Sequence, residues 1–180
     1  MKHASIIFAL ALSVITFASA GAASLALSET TATAIAAMTP LSKHPPPSIT
    51  GKPVVISFFA SWCPPCTDEF QQLNQLRARF READLAIISL NMFEGHFEKN
   101  RKHRMKRFLN RTAPTFPVLG GLSDDALSGL FGGIDRIPTV LIFDKAGQAV
   151  YSFIHKVDAV KRHATFRELE EIITPLVTAP

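Results

Sequence analysis

Cysteine is the scarcest informative residue in this chain of 180 residues. There are two, Cys63 and Cys66, both inside the stretch FFASWCPPCTDEF. Two thiols cannot build the multi-bridge framework of a small secreted disulfide scaffold, and they fall short of the four ligands of a closed zinc site. Neither lies near the N-terminus, which excludes a lipid-modified cysteine at the start of an exported body. Charge is sparse as well. Charged residues make up 19% of the chain and the net charge is +4, too mild a balance to argue for a nucleic-acid partner. Between Lys2 and Glu29 no acid, lysine or arginine occurs at all, and SIIFALALSVITF within that gap is almost wholly apolar.

That gap has the form of an export signal. A short basic start precedes the apolar core, and Ala18-Ser19-Ala20 supplies an A-x-A cleavage site behind it. The uncharged stretch from Ala4 to Ser28 is also long enough to cross a hydrocarbon layer of about 30 Å. Residues 1–22 are therefore read as a signal peptide or an uncleaved anchor, and the small residues that interrupt the run favour cleavage. Either way the body is exported, to the periplasm, with anchoring to the inner membrane through the N-terminus as the variant. Residues 23–48 are rich in Ala, Thr and Ser and end in KHPPPS, where consecutive prolines fix φ and remove backbone donors. They are read as a tether. The folded domain is expected over 49–180, a common single-domain size, and 47% hydrophobic residues supply its core.

What is present inside 49–180 reads as alternating strands and helices. KPVVISFFA (52–60) is a continuous apolar run rich in β-branched and aromatic residues, expected to be a strand covered on both faces. Pro64 and Pro65 suit a helix's first turn, and Phe70, Leu73, Leu76 and Phe80 follow at helical spacing. LAIISLNM (85–92) is a second buried strand, so the two strands pair in parallel across the helix. A basic helix is expected over 97–111, with Met105, Phe108 and Leu109 as its apolar face and Lys99, Arg101, Lys102, Arg104, Lys106 and Arg107 as a solvated face, the alternative being a docking patch for an acidic partner or an anionic membrane surface. SDDALSGLFGG (123–133) reads as a short serine-capped helix with Ala126, Leu127 and Leu130 inward. IPTVLIFD, KAGQ and AVYSFIHKV form a hairpin, and TFRELEEIITPLV (165–177) an amphipathic last helix. The order is βαβ, helices, ββα.

The cysteine pair admits three uses. A structural bridge closes too short a loop to remove much chain entropy. A metal clamp lacks ligands, because none of His44, His96, His103, His155 and His163 shows the paired spacing such sites use. A redox pair fits the local geometry best. A cysteine at a helix start faces unpaired N–H groups and the positive end of the dipole, which favour a thiolate, so Cys63 is the expected nucleophile. Cys66, one turn further in, is the expected resolving thiol.

The stretches VVISFFASWCPPC, CTDEF and GIDRIPTVLIFDKAGQAV together resemble exported thioredoxin-fold thiol-disulfide reductases of the TlpA/ResA-like kind, over roughly residues 49–177. The resemblance implies an α/β thioredoxin fold, with a mixed central sheet and helices on both faces. It implies a thiol-disulfide oxidoreductase that reduces exported proteins' disulfides, needs no cofactor or metal, and is fed by a membrane thiol transporter of the cytochrome c biogenesis type. It implies a cis proline at Pro138, which with Ile137 would contact substrate, as would Trp62, Pro64 and Pro65 around the cysteines. Thioredoxin-like members carry a buried acid at the position of Ser57; here that acid is missing, and the TlpA/ResA-like glutamate falls at Glu69. Helical spacing also brings 66 and 69 together, so Glu69 could serve the Cys66 proton. Asp68 is expected at the surface. Two alternatives stay open: a disulfide-donating oxidant, and a copper or apo-protein delivery module using the same two thiols.

Overall fold

A computed structural model describes residues 25–97 and 99–178; the leader expected over 1–22 lies outside the described residues. Six strands form one mixed sheet: β1 (Thr39–Pro40), β2 (Val54–Phe59), β3 (Ala86–Asn91), β4 (Val118–Gly120), β5 (Thr139–Phe143) and β6 (Ala149–Ile154). They lie in the order β1-β4-β3-β2-β5-β6. β2 pairs in parallel with β3, and β3 with β4, while β5 runs antiparallel to both β2 and β6. The helices are α1 (Glu29–Ala36), α2 (Pro64–Arg79), α3 (Arg101–Thr112), α4 (Asp124–Leu130) and α5 (Phe166–Thr178).

The central strand β2 shows why the sheet is covered on both faces. Successive side chains point to opposite sides of a strand, and all six residues of VVISFF are buried. Val55 and Phe59 join the core under α2, α3 and α5, whereas Val54, Ile56 and Phe58 join the core under α1 and α4. Ser57 shares the face of Val55 and Phe59, which turns it towards α2.

On that face Phe59, Phe70 and Phe108 pack in a triangle with ring centroids 4.8–5.1 Å apart, tying β2, α2 and α3 together. Each ring is fully buried, and truncating one to alanine in such a core costs about 3–5 kcal/mol. The helical spacing in α2 is borne out: Phe70, Leu73 and Leu76 are buried, and Phe80 caps the helix as the chain turns extended. In α4, Ser123 caps as expected and Leu127 is buried, but Ala126 is exposed because the short helix turns only one narrow stripe inward. The β5–β6 hairpin turns through Gly147 at φ +79°, with Asp144 Oδ1 accepting from the amides of Ala146 and Gln148.

The tether expected over 23–48 is corrected. Ser28 accepts a hydrogen bond from the Thr31 amide and starts α1, whose Ile35, with Met38 just beyond it, enters the core under α4. β1 pairs with β4, and Leu25 and Leu27 hydrogen-bond to the β5–β6 turn. The sheet and the helical layer of α1 and α4 therefore begin well before residue 49. Two buried apolar anchors are enough to hold so short a helix, while its Ala and Thr content reads as linker.

Candidate active site

The site forms where β2 ends and α2 begins. Cys63 is the N-cap of α2 with extended backbone, and its Sγ accepts a hydrogen bond from the Cys66 amide at 3.3 Å. An N-cap side chain reaches the amides of the second and third helical residues. Pro64 and Pro65 have no N–H to give, so in this turn the Cys66 amide is the donor left for that sulfur. The two cysteines are joined by a disulfide, S–S 2.14 Å, with their Cα atoms 5.3 Å apart. Cys63 keeps 4% of its surface and Cys66 none, so an incoming partner meets Cys63. Pro64 is exposed and Pro65 half-buried beside it.

Glu69 lies one turn beyond Cys66 on the same buried side of α2 and is fully enclosed. Its Oε1 accepts from Ser57 Oγ at 2.6 Å, while Oε2 has no hydrogen-bond partner of ordinary geometry. Burial dominates and raises its pKa from 4.5 to about 8; the Ser57 hydroxyl and the backbone at Ala164 pull only weakly the other way. Near neutral pH the group is thus poised to hold or release a proton inside an otherwise apolar core. Asp68 faces outward, as expected.

Ile137–Pro138 is a cis peptide bond, with Pro138 buried and Ile137 half-buried where both cores meet. The Pro138 carbonyl accepts from the amide of His155, the residue just past the end of β6. Trp62 is half-buried, its Nε1–H donating to the Phe93 carbonyl at 2.8 Å. Its ring stacks on His96 at 5.7 Å and meets Phe97 edge-on at 5.4 Å, and Phe97 is half exposed.

A second buried acid was not foreseen. Glu94, in the short 3₁₀ turn Glu94–Phe97, accepts from the Ser61 amide at 2.9 Å, from the Ser61 hydroxyl, and from Asn91 Nδ2 at 3.1 Å. Arg104 Nη2 stands 3.9 Å from Oε1, the oxygen that accepts from the Ser61 hydroxyl. Asn91 also donates to the Phe59 carbonyl at 3.2 Å. Through these contacts Glu94 fixes the Phe59–Ser61 segment from which Trp62 and Cys63 project. The parallel register that places Asn91 opposite Phe59 brings the groups together; the sequence signal available was the Asn91-x-x-Glu94 pair at a buried strand's C-terminal end.

Known proteins resemble this chain over most of the described fold. The redoxin family model matches residues 30–173. The thiol-disulfide oxidoreductase ResA of Bacillus thuringiensis (strain Al Hakam) is 30% identical over 106 residues, 58% of this chain and 56% of that protein. The protein of the same name from Geobacillus thermodenitrificans is 29% identical over 98 residues, 54% and 52% of the two chains. The chain spans about half the length of these curated relatives. Among solved structures, the thiol:disulfide interchange protein, a thioredoxin family protein from Chlorobium tepidum TLS, matches with a TM-score of 0.56 and 21% identity, covering 72% of this chain and 83% of its own. The fold is thioredoxin-like.

Proposed function

The chain belongs to the redoxin family, and on that premise we propose that it is a periplasmic thiol-disulfide oxidoreductase that reduces disulfides of exported proteins. One observation carries the proposal: a cysteine pair at the first turn of α2, with Cys63 keeping a sliver of exposure and Cys66 wholly buried one turn from a carboxyl whose pKa lies near 8. The names of the relatives, thiol-disulfide oxidoreductases, agree with it.

The cycle starts from the dithiol. The Cys63 thiolate, favoured by the α2 dipole and the Cys66 amide, attacks one sulfur of a substrate disulfide and expels the other as a thiolate that takes up a proton. Glu69 in its ionised form takes the Cys66 proton. Cys66 then attacks Cys63 Sγ, the mixed disulfide breaks, and the second substrate thiol leaves with that proton. Two electrons have passed to the substrate, and the bonded pair in this structure is the end of the turn. On this reading Pro138 and Ile137, with Trp62, Pro64 and Pro65, would contact the substrate strand whose disulfide meets Cys63. Restoring the dithiol outside the cytoplasm requires electrons from a membrane thiol transporter.

A Cys66→Ser variant tests the reaction directly. With a purified disulfide-bearing protein it should accumulate a mixed disulfide at Cys63 that excess thiol releases, and Cys63→Ser should form none. Equal trapping by both variants, or by neither, would contradict the assigned order of attack. Fractionation of cells carrying the full chain checks export, and retention in the cytoplasm would overturn the location.

A further inference from the structure

Beside the redox site, a groove of about 940 Å³ runs between α3 and residues 41–43 and 113–115. That is ample for a ligand or a short peptide segment. Leu41, Met105 and Leu109 line it as apolar surface, and Lys43, Arg101, Lys102 and Lys106 stand around them. None of these four cations forms an ion pair among the described residues. The acid in the lining, Glu94, is already engaged by Ser61, Asn91 and Arg104.

The charge placement is costly for the helix alone. α3 reads RKHRMKRFLNRT and contains no acid, its first turn included. Cations in a first turn oppose the helix dipole by about 0.3–1 kcal/mol each, and like charges one turn apart add to that. Within the described residues only Arg104 of these helix cations finds an acid, Glu94, and local rules broken with so little compensation point to function.

One end of the groove reaches the active-site turn. Asn91 and Glu94 line it, and they hold the Phe59 carbonyl and the Ser61 amide, two residues before Cys63. A polypeptide whose disulfide lies on Cys63 can therefore lay its flanking chain along α3. We propose that this groove binds the segment flanking the reacting disulfide and selects partners that combine acidic with large apolar side chains. The inference rests on the thiol-exchange reading and names its substrate class. A groove with Leu41, Met105 and Leu109 in its lining suits side chains spaced along a peptide better than a flat lipid surface.

The test uses the full chain, reduced, and three peptides of equal length. Each carries one cysteine as a mixed disulfide with glutathione, flanked by Leu together with Glu, Gln or Lys. Oxidation is followed by fluorescence of Trp62, the chain's single tryptophan, and each rate is normalised to that with neutral hydroxyethyl disulfide. The Glu/Leu peptide should react about tenfold faster than the Lys/Leu peptide at low salt, the sum of a few exposed ion pairs. The difference should shrink with added salt, fall when Leu is replaced by Ser, and drop below about twofold in a Lys102→Ala/Lys106→Ala variant.

Equal rates for all three peptides, with hydroxyethyl disulfide still reduced, would overturn the groove and leave the redox reading standing. So would a preference that survives in the double variant. Sedimentation with phosphatidylglycerol vesicles that the double variant loses, without any peptide preference, would assign the basic face to a membrane. Failure to reduce hydroxyethyl disulfide would instead sink the thiol-exchange reading, and the inference with it.

Discussion

Glu69 and Glu94 are both buried acids that flank one cysteine pair, and the fold treats them in opposite ways. Glu69 receives one side-chain hydrogen bond, from Ser57, and its second oxygen has no partner of ordinary geometry. Glu94 accepts from Ser61 twice and from Asn91, and faces Arg104. A carboxylate short of donors in a dry core is held nearer its neutral form, which suits it to proton traffic. One supplied with donors acts as a clamp, here on the turn that carries Trp62 and Cys63. Burial by itself therefore does not say what an acid does; the donors around it do.

The largest effect should appear at Glu69, in stability against pH measured on oxidised protein, where the cysteines do not titrate. Glu69 has a folded pKa of about 8 against 4.5 for the ordinary carboxyl. The folded state thus holds the extra proton. Its contribution is complete below pH 4.5 and is lost as pH rises towards 8, at about 1.4 kcal/mol per pH unit. Urea midpoints should fall across that window in the native chain, and the fall should be much smaller in Glu69→Gln. A slope unchanged by the substitution would remove Glu69 as the titrating group.

Glu94→Ala should cost about 2–4 kcal/mol by urea unfolding, because buried donors of Ser61 and Asn91 lose their acceptor. It should leave the Glu69 pH slope in place. If the two effects were exchanged between the two residues, the contrast would be reversed.

In exchange kinetics, Glu69→Gln should slow the resolving step by about 10- to 100-fold and change its pH profile, as expected for loss of a positioned proton acceptor. Equal rates across pH would take Glu69 out of the mechanism. The smallest effect is expected for Ser57→Ala, which should cost no more than about 1 kcal/mol and move the pH window of the stability loss upward, since the lost hydrogen bond favours the ionised form. A downward move would contradict the pairing.

Much of the fold was legible because its strongest elements are long or strongly patterned. The continuous apolar runs of β2 and β3 and the spacing of Phe70, Leu73 and Leu76 leave few alternatives. α1 was not, since its hold on the core is Ile35 and Met38 and its remaining signal is the Ser28 cap. β4 escaped notice as three residues between Pro117 and Gly121. In the site, the cysteine spacing and the helical offset of Glu69 are local and could be read directly. Ser57 was noticed for the acid it lacks, while its role as donor to Glu69 depends on β2 lying against α2. Glu94 was hidden for the same reason: Ser61 is 33 residues away in the chain, and the register of β2 on β3 makes them neighbours.

A reductant of this kind needs Cys63 and Cys66 to be a reversible two-electron couple of low potential. The decisive measurement is the reduction potential of that pair, by equilibration in dithiothreitol or glutathione buffers with thiol trapping. A single two-electron transition near thioredoxin's, about −270 mV or somewhat above, is predicted; a value near −120 mV would mark a disulfide donor, and a pair that never responds would be a structural bridge.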